Sequence, residues 1–129
     1  GASASFSAIT MQKISGIPGI PLVNVSAYRG IIKDKTIAAI NSGHPVVAES
    51  SLFAGDAQVT ADGNQENIKI ASSHVYTVAA ADENGVTLIN PWGHNNRSGG
   101  SGGRTGATFT ISWEEFYANY GDVTVGFIP

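Results

Sequence analysis

Ser73-His74-Val75-Tyr76-Thr77-Val78-Ala79-Ala80-Ala81, then Asp82-Glu83-Asn84-Gly85, then Val86-Thr87-Leu88-Ile89-Asn90, is the stretch that decides the fold class. Two runs rich in β-branched and aromatic residues flank a polar turn cluster, which is the signature of a β-hairpin. His74 and Asn90 are equidistant from Asp82, so the register of this hairpin decides whether the two side chains meet. A loop of residues 80–84 pairs 79 with 85 and sets 74 directly opposite 90, with Cβ atoms about 4.5–5.5 Å apart on one face. A tight Glu83-Asn84 turn, with 82 opposite 85, puts the two side chains on opposite faces. The spacing permits a His–Asn pair without forcing one.

Working outward, residues 54–67 are polar, contain Asp56, Asp62, Gly63 and Asn64, and read as a loop before a strand that begins at Ile68. Residues 95–106 hold five glycines and read as a mobile, linker-like loop. Phe109 to Ile111 read as a strand. Ser112-Trp113-Glu114-Glu115 is a capping box, in which the Ser112 hydroxyl accepts from the Glu115 N–H and the Glu115 carboxylate reaches back to the Ser112 N–H. A short helix to about Tyr120 follows, closed by Gly121, and Val123 to Ile128 read as a last strand. Upstream, 33–42 reads as a helix capped by Asp34, with Ile37, Ala38, Ile40 and Asn41 at helical spacing. Gly43 stands at its left-handed C-terminal position and Pro45 bars continuation. Val46 to Leu52 read as a strand. Ile17-Pro18-Gly19-Ile20-Pro21 forbids a regular helix, so residues 1–29 read as an extended, partly packed lead-in to a domain over 30–129.

Composition narrows the function classes. The 129 residues are 42% hydrophobic, enough for a core, but only 13% charged, against roughly 25% in an average globular chain. Seven scattered Lys and Arg and a net charge of −3 give no basic patch for nucleic acid. No apolar run approaches the roughly 18 residues of a membrane span, and no signal peptide is visible. The absence of cysteine removes disulfides, thiolate metal sites and a cysteine nucleophile from this chain.

His74, Asn90 and Trp92 form the constellation with chemical meaning. In thiol peptidases a histidine takes the proton of the cysteine, holds the thiolate as an ion pair and later protonates the leaving amine. A side-chain amide oxygen on the other imidazole nitrogen fixes tautomer and ring direction. The plain alternative is a partly buried histidine at a strand start, an Asn that ends a strand before Pro91, and a tryptophan that fills the core. Ser73-His74-Val75-Tyr76-Thr77-Val78 and Leu88-Ile89-Asn90-Pro91-Trp92-Gly93, taken together, resemble the histidine and asparagine motifs of the calpain family of cysteine peptidases. The Asn-Pro-Trp-Gly form is calpain-like; the papain branch usually has serine in place of the proline. Phe109 to Phe116 is similar to the strand-helix segment that closes a calpain protease core, and Ile37 to Val47 to the segment before the catalytic histidine.

That resemblance implies an α+β fold, a strand-rich antiparallel, partly barrel-like sheet with one or two short helices, like the second lobe of a papain-like peptidase. It implies His74 as general base, Asn90 as its orienting partner and Trp92 as a cover over the cleft. The partners implied are a cysteine-bearing lobe and a polypeptide substrate, with no cofactor. The alternative is a calpain-like module that has lost catalysis and serves binding or assembly. Three departures from the family stand out. The cysteine lobe is absent, Ser73 stands where calpains commonly have glycine, and no acidic residue lies between 94 and 113, where calcium-dependent calpains supply carboxylates. Other candidates fall away. His44 and His94 lack metal-ligand spacing. Asp82-Glu83-Asn84-Gly85 reads as a solvated turn. Ser72 and Ser73 lack a nucleophile-elbow motif, and the Gly-rich segment lacks the Gly-Lys-Ser/Thr of a phosphate cradle.

Overall fold

A computed structural model describes residues 10–14, 26–99 and 102–127. The elements in chain order are β1 (Thr10–Ile14), α1 (Ser26–Asn41), β2 (Val46–Ser50), β3 (Asp56–Ala61), β4 (Asn64–Lys69), β5 (Val75–Asp82), β6 (Gly85–Arg97), β7 (Arg104–Ile111), α2 (Trp113–Asn119) and β8 (Tyr120–Phe127). One sheet runs β1-β8-β2-β5-β6-β4-β3-β7 with every neighbour antiparallel. β7 also pairs with β6, so β6, β4, β3 and β7 close on themselves. The fold is therefore α+β and strand-rich, with a barrel-like half and an open half.

Helix α1 lies against β5, β8 and β2. It buries Ile32, Thr36 and Ala39, a face of i, i+4, i+7 spacing, with Ile37 and Ile40 at its margin. It begins at Ser26, so Asp34 lies in mid-helix and caps nothing, and residues 26–29 are helical rather than extended. Residues 10–14 of the lead-in pair with β8; residues 1–9 and 15–25, including the Pro18–Pro21 stretch, lie outside the described residues. The C-terminal end is as expected. Gly43 has φ 78, its N–H donates to Ile40 O at 3.0 Å, and His44 N–H donates to Ala39 O at 3.0 Å. These are the two bonds of a Schellman stop.

Residues 54–67 form a hairpin, not a loop. Asp62 and Gly63 both have positive φ (55 and 79), the geometry of a two-residue hairpin turn. Ala57, Val59 and Ala61 alternate inward, with exposed residues between them. Small side chains and polar neighbours hid this alternation, although Asp-Gly is a strong turn signal. Residues 95–97 and 104–106 are likewise strand, not linker. Asn95↔Thr105 and Asn96↔Arg104 continue the β6–β7 ladder, and Arg97 pairs with Glu66 across to β4. Residues 100 and 101 lie outside the described residues. The polar side chains of Asn95, bonded to Gly106 O and Ala107 O, and of Arg97, paired with Glu66, outweigh the glycine count there.

The capping box is half formed. Ser112 Oγ accepts from Glu115 N–H at 3.2 Å, but the Glu115 carboxylate accepts from Gln58 N–H at 2.7 Å instead of returning to Ser112. A pairing to β3 has won over the local one. Gly121 belongs to β8 rather than to a helix stop, because Tyr120 already leaves the helix in extended conformation. Ile128 lies outside the described residues. The core gathers inward-facing side chains of the strands, among them Tyr76, Leu88, Phe109, Ile111 and Val123, with Trp113 and Phe116 of α2. Tyr76, Phe109, Tyr120 and Phe116 form an aromatic cluster in which Phe116 and Tyr120 stack at 4.7 Å.

Candidate active site

The β5–β6 hairpin takes the tight turn, with Asp82 opposite Gly85. Asp82 secures it by accepting from Asn84 N–H at 2.8 Å and Gly85 N–H at 3.1 Å. On this register alone His74 and Asn90 would face opposite ways. The strands do not keep it. Ala81↔Val86 and Ala80↔Thr87 are followed by Val78↔Leu88 and Thr77↔Ile89, so Ala79 is an extra residue, a β-bulge. The inward set changes from odd to even across it, with Ala81 partly buried on one side and Val78 and Tyr76 buried on the other. His74 thereby shares a face with Asn90, diagonally rather than directly opposite. His74 Nε2 and Asn90 Oδ1 are 3.0 Å apart.

Asn90 is buried at the point where the β6–β7 ladder breaks. Ile89 pairs with Thr108 and His94 with Gly106, so Asn90-Pro91-Trp92-Gly93 arches out opposite Ala107 alone. Pro91 has no N–H to offer the ladder. Gly93, at φ 84, turns the chain back through a conformation that disfavours a side chain. The Trp92 N–H, released from the ladder, donates to Asn90 Oδ1 at 3.1 Å. This contact settles which atom of the carboxamide is oxygen, because a backbone N–H is always a donor. The oxygen facing His74 is then an acceptor only, so Nε2 carries a proton and, in the neutral ring, Nδ1 holds the lone pair.

Ser50 anchors the histidine backbone. It is buried, its Oγ accepts from His74 N–H at 2.9 Å and donates to Ala71 O, and its N–H donates to His74 O at 2.9 Å. Nothing in the sequence marked Ser50; a serine closing a strand is too common to signal. Ser73, just before His74, has φ 47. The left-handed conformation gives a physical reason why glycine suits this position.

Trp92 covers His74 on one side, with ring centroids 4.6 Å apart and planes tilted by 37°. It is nevertheless 52% exposed, and so is not a core residue. Tyr76 meets the imidazole edge-on at 5.0 Å, and its hydroxyl accepts from Ala71 N–H at 3.0 Å. Burial raises the Tyr76 phenol above its ordinary value, so it stays neutral. His94 lies in β6 rather than in a turn, 6.0 Å from Trp92 by ring centroid. The candidates His74, Asn90 and Trp92 are thus brought together, while His44 lies between α1 and β2. Asn95, buried and bonded to Asn90, carries no signal in the sequence, because it stands among the glycines and serines of a linker-like composition.

No protein-family model matches the chain, and a search of curated proteins finds no match. The resemblance to calpain-like peptidases rests on the motifs themselves.

Proposed function

We propose that this chain is the histidine- and asparagine-bearing half of a calpain-like cysteine endopeptidase, completed by a cysteine-bearing lobe. The observation that carries the reading is the His74–Asn90 contact of 3.0 Å, with Asn90 oxygen fixed by Trp92 N–H. It leaves the basic nitrogen of His74 available for a thiol, as a cysteine peptidase needs. In the completed enzyme Nδ1 takes the thiol proton. The thiolate attacks the peptide carbonyl, and the imidazolium gives its proton to the leaving amine as the C–N bond breaks. Water, deprotonated by the same nitrogen, then hydrolyses the thioester and regenerates the thiol. Asn90 holds the ring through both steps, and Trp92 lowers the local dielectric on one side. Exposed Leu52 (69%) and Phe53 (88%) follow Ser51, whose carbonyl accepts from Ser73 N–H at 3.2 Å. With Trp92 they offer apolar surface near the dyad to a second lobe.

The test is complementation. The reading frame upstream is examined for a Gly-x-Cys-Trp-type segment, and that lobe is fused to or mixed with this chain. The chain alone leaves peptides uncleaved, since its one sulfur is the Met11 thioether. The complemented protein cleaves them. His74→Ala abolishes turnover, and Asn90→Ala leaves a residue of activity, because orientation is a smaller effect than proton transfer. Undiminished cleavage after His74→Ala refutes the mechanism. Two lobes that fold and associate yet cleave nothing favour a binding or assembly module.

A further inference from the structure

We infer that Asn95 is a positioning residue that sets the tautomer of His74 through Asn90. Both carboxamides are buried, so each polar atom must find a partner within the protein. Asn95 Nδ2 donates to two backbone carbonyls, Gly106 O at 2.8 Å and Ala107 O at 3.1 Å. Carbonyls only accept, so this end of the amide is nitrogen and Oδ1 points to Asn90. Asn95 Oδ1 accepts from Asn90 Nδ2 at 3.1 Å, which turns Asn90 Oδ1 toward Trp92 N–H and His74 Nε2. The relay begins and ends on backbone groups whose polarity is invariant. Reversing Asn95 would set its oxygen against two carbonyls and its NH2 against that of Asn90. Reversing Asn90 would set its NH2 against Trp92 N–H and offer His74 a donor, favouring the opposite tautomer.

A purely structural role is the rival explanation, because the same two donor bonds staple β7 opposite the Asn90–Gly93 arch. The two roles use different atoms of Asn95: the staple uses Nδ2 and the relay uses Oδ1. Asn95→Asp separates them. Buried against two carbonyls, its carboxyl takes a proton: one oxygen still accepts from Asn90 Nδ2, and a single O–H replaces the two donor bonds to Gly106 and Ala107.

The experiment reads the imidazole nitrogens of His74 by long-range 1H–15N correlation in the chain as it stands, assigned by the loss of signal in His74→Gln. Wild type shows the Nε2–H form. Asn95→Ala lowers the ratio of Nε2–H to Nδ1–H forms about fivefold, the equivalent of one ordinary hydrogen bond. Asn95→Asp keeps the wild-type ratio although it melts lower. Exposed Asn96→Ala changes neither. In an Asn90→Ala background, Asn95→Ala adds no further shift. Should Asn95→Ala not fold, Asn95→Val, apolar and strand-favouring, carries the same expectation. An unchanged ratio in Ala or Val, or a shift in Asp as large as in Ala, overturns the inference and leaves only the staple. The activity arm rests on the peptidase reading, under which Asn95→Ala lowers kcat about fivefold at constant KM in the complemented enzyme. A tautomer shift with no cleavage by the complemented wild type sinks the peptidase reading and leaves Asn95's role standing.

Discussion

Gly85→Ala tests the seat of the β5–β6 hairpin against the rest of the fold. A Cβ built on Gly85 falls 2.5 Å from Ile111 O and 3.3 Å from Ile111 C, where ordinary contact begins at 3.4 Å. The obstacle is backbone at the β7–α2 junction, and no side-chain rotation clears it. One strand must shift by about 0.9 Å relative to the other. The junction is also held by Trp113, whose Nε1–H donates to Asp82 O at 2.7 Å, so moving it loosens a second contact. Overpacking a well-filled site costs about 1–3 kcal/mol, and an immovable partner places this one near 3. A chain of this length loses about 4 °C of Tm per kcal/mol, so melting falls by roughly 10 °C. Gly30→Ala is the matched control. Nothing lies within 4 Å of its Cβ, and it sits inside α1. There the same change gains about 0.5–1 kcal/mol by relieving glycine's entropic cost in a helix. Thermal melts and urea titrations of both variants give the answer. A Gly85→Ala chain within about 0.5 kcal/mol of wild type would refute the close approach of β6 to the Ile111 carbonyl.

Ser73→Gly should raise stability by about 0.5–1 kcal/mol in the same assays, since it removes the penalty of a side chain at φ 47; a loss would mean that Ser73 makes a compensating contact. Burial pushes the hydroxyls of Tyr76 and Tyr120 above their ordinary value near 10. An unfolded chain releases those protons at the ordinary value and the folded chain resists, so stability is full below about pH 10 and declines above it; spectrophotometric titration of all tyrosines near pH 10 without unfolding would contradict this. Hydrogen exchange should find the Arg97 amide protected, because it donates to Gly103 O at 3.0 Å, and exchange at the free-chain rate would return this segment to a linker.

The central hairpin, the Schellman stop after α1 and the Ser112 cap were legible because each rests on residues close in sequence. Legibility ended where a long-range partner decided the outcome. Glu115 left its local acceptor role for Gln58, and the two ends of the glycine-rich stretch, residues 95–97 and 104–106, joined the sheet through Asn95 and Arg97. The β3–β4 hairpin was missed for a different reason: its buried face is made of Ala57, Val59 and Ala61, too small to stand out as a hydrophobic pattern. At the candidate site the residues were legible but their alignment was not. The turn chosen was the one that separates His74 from Asn90, and only the extra residue at Ala79 reunites them.

That single extra residue makes the interval between histidine and asparagine an unreliable signature. Sixteen positions separate His74 from Asn90 here. A related chain without the Ala79 insertion would keep the same turn, the same pairing on either side and the same two side chains on one face, with the interval one shorter. A chain that lost one residue from the turn instead would have that same shorter interval and a different alignment. Relatives of this protein are therefore better sought by motifs joined through a gap of adjustable length than by a fixed count of residues.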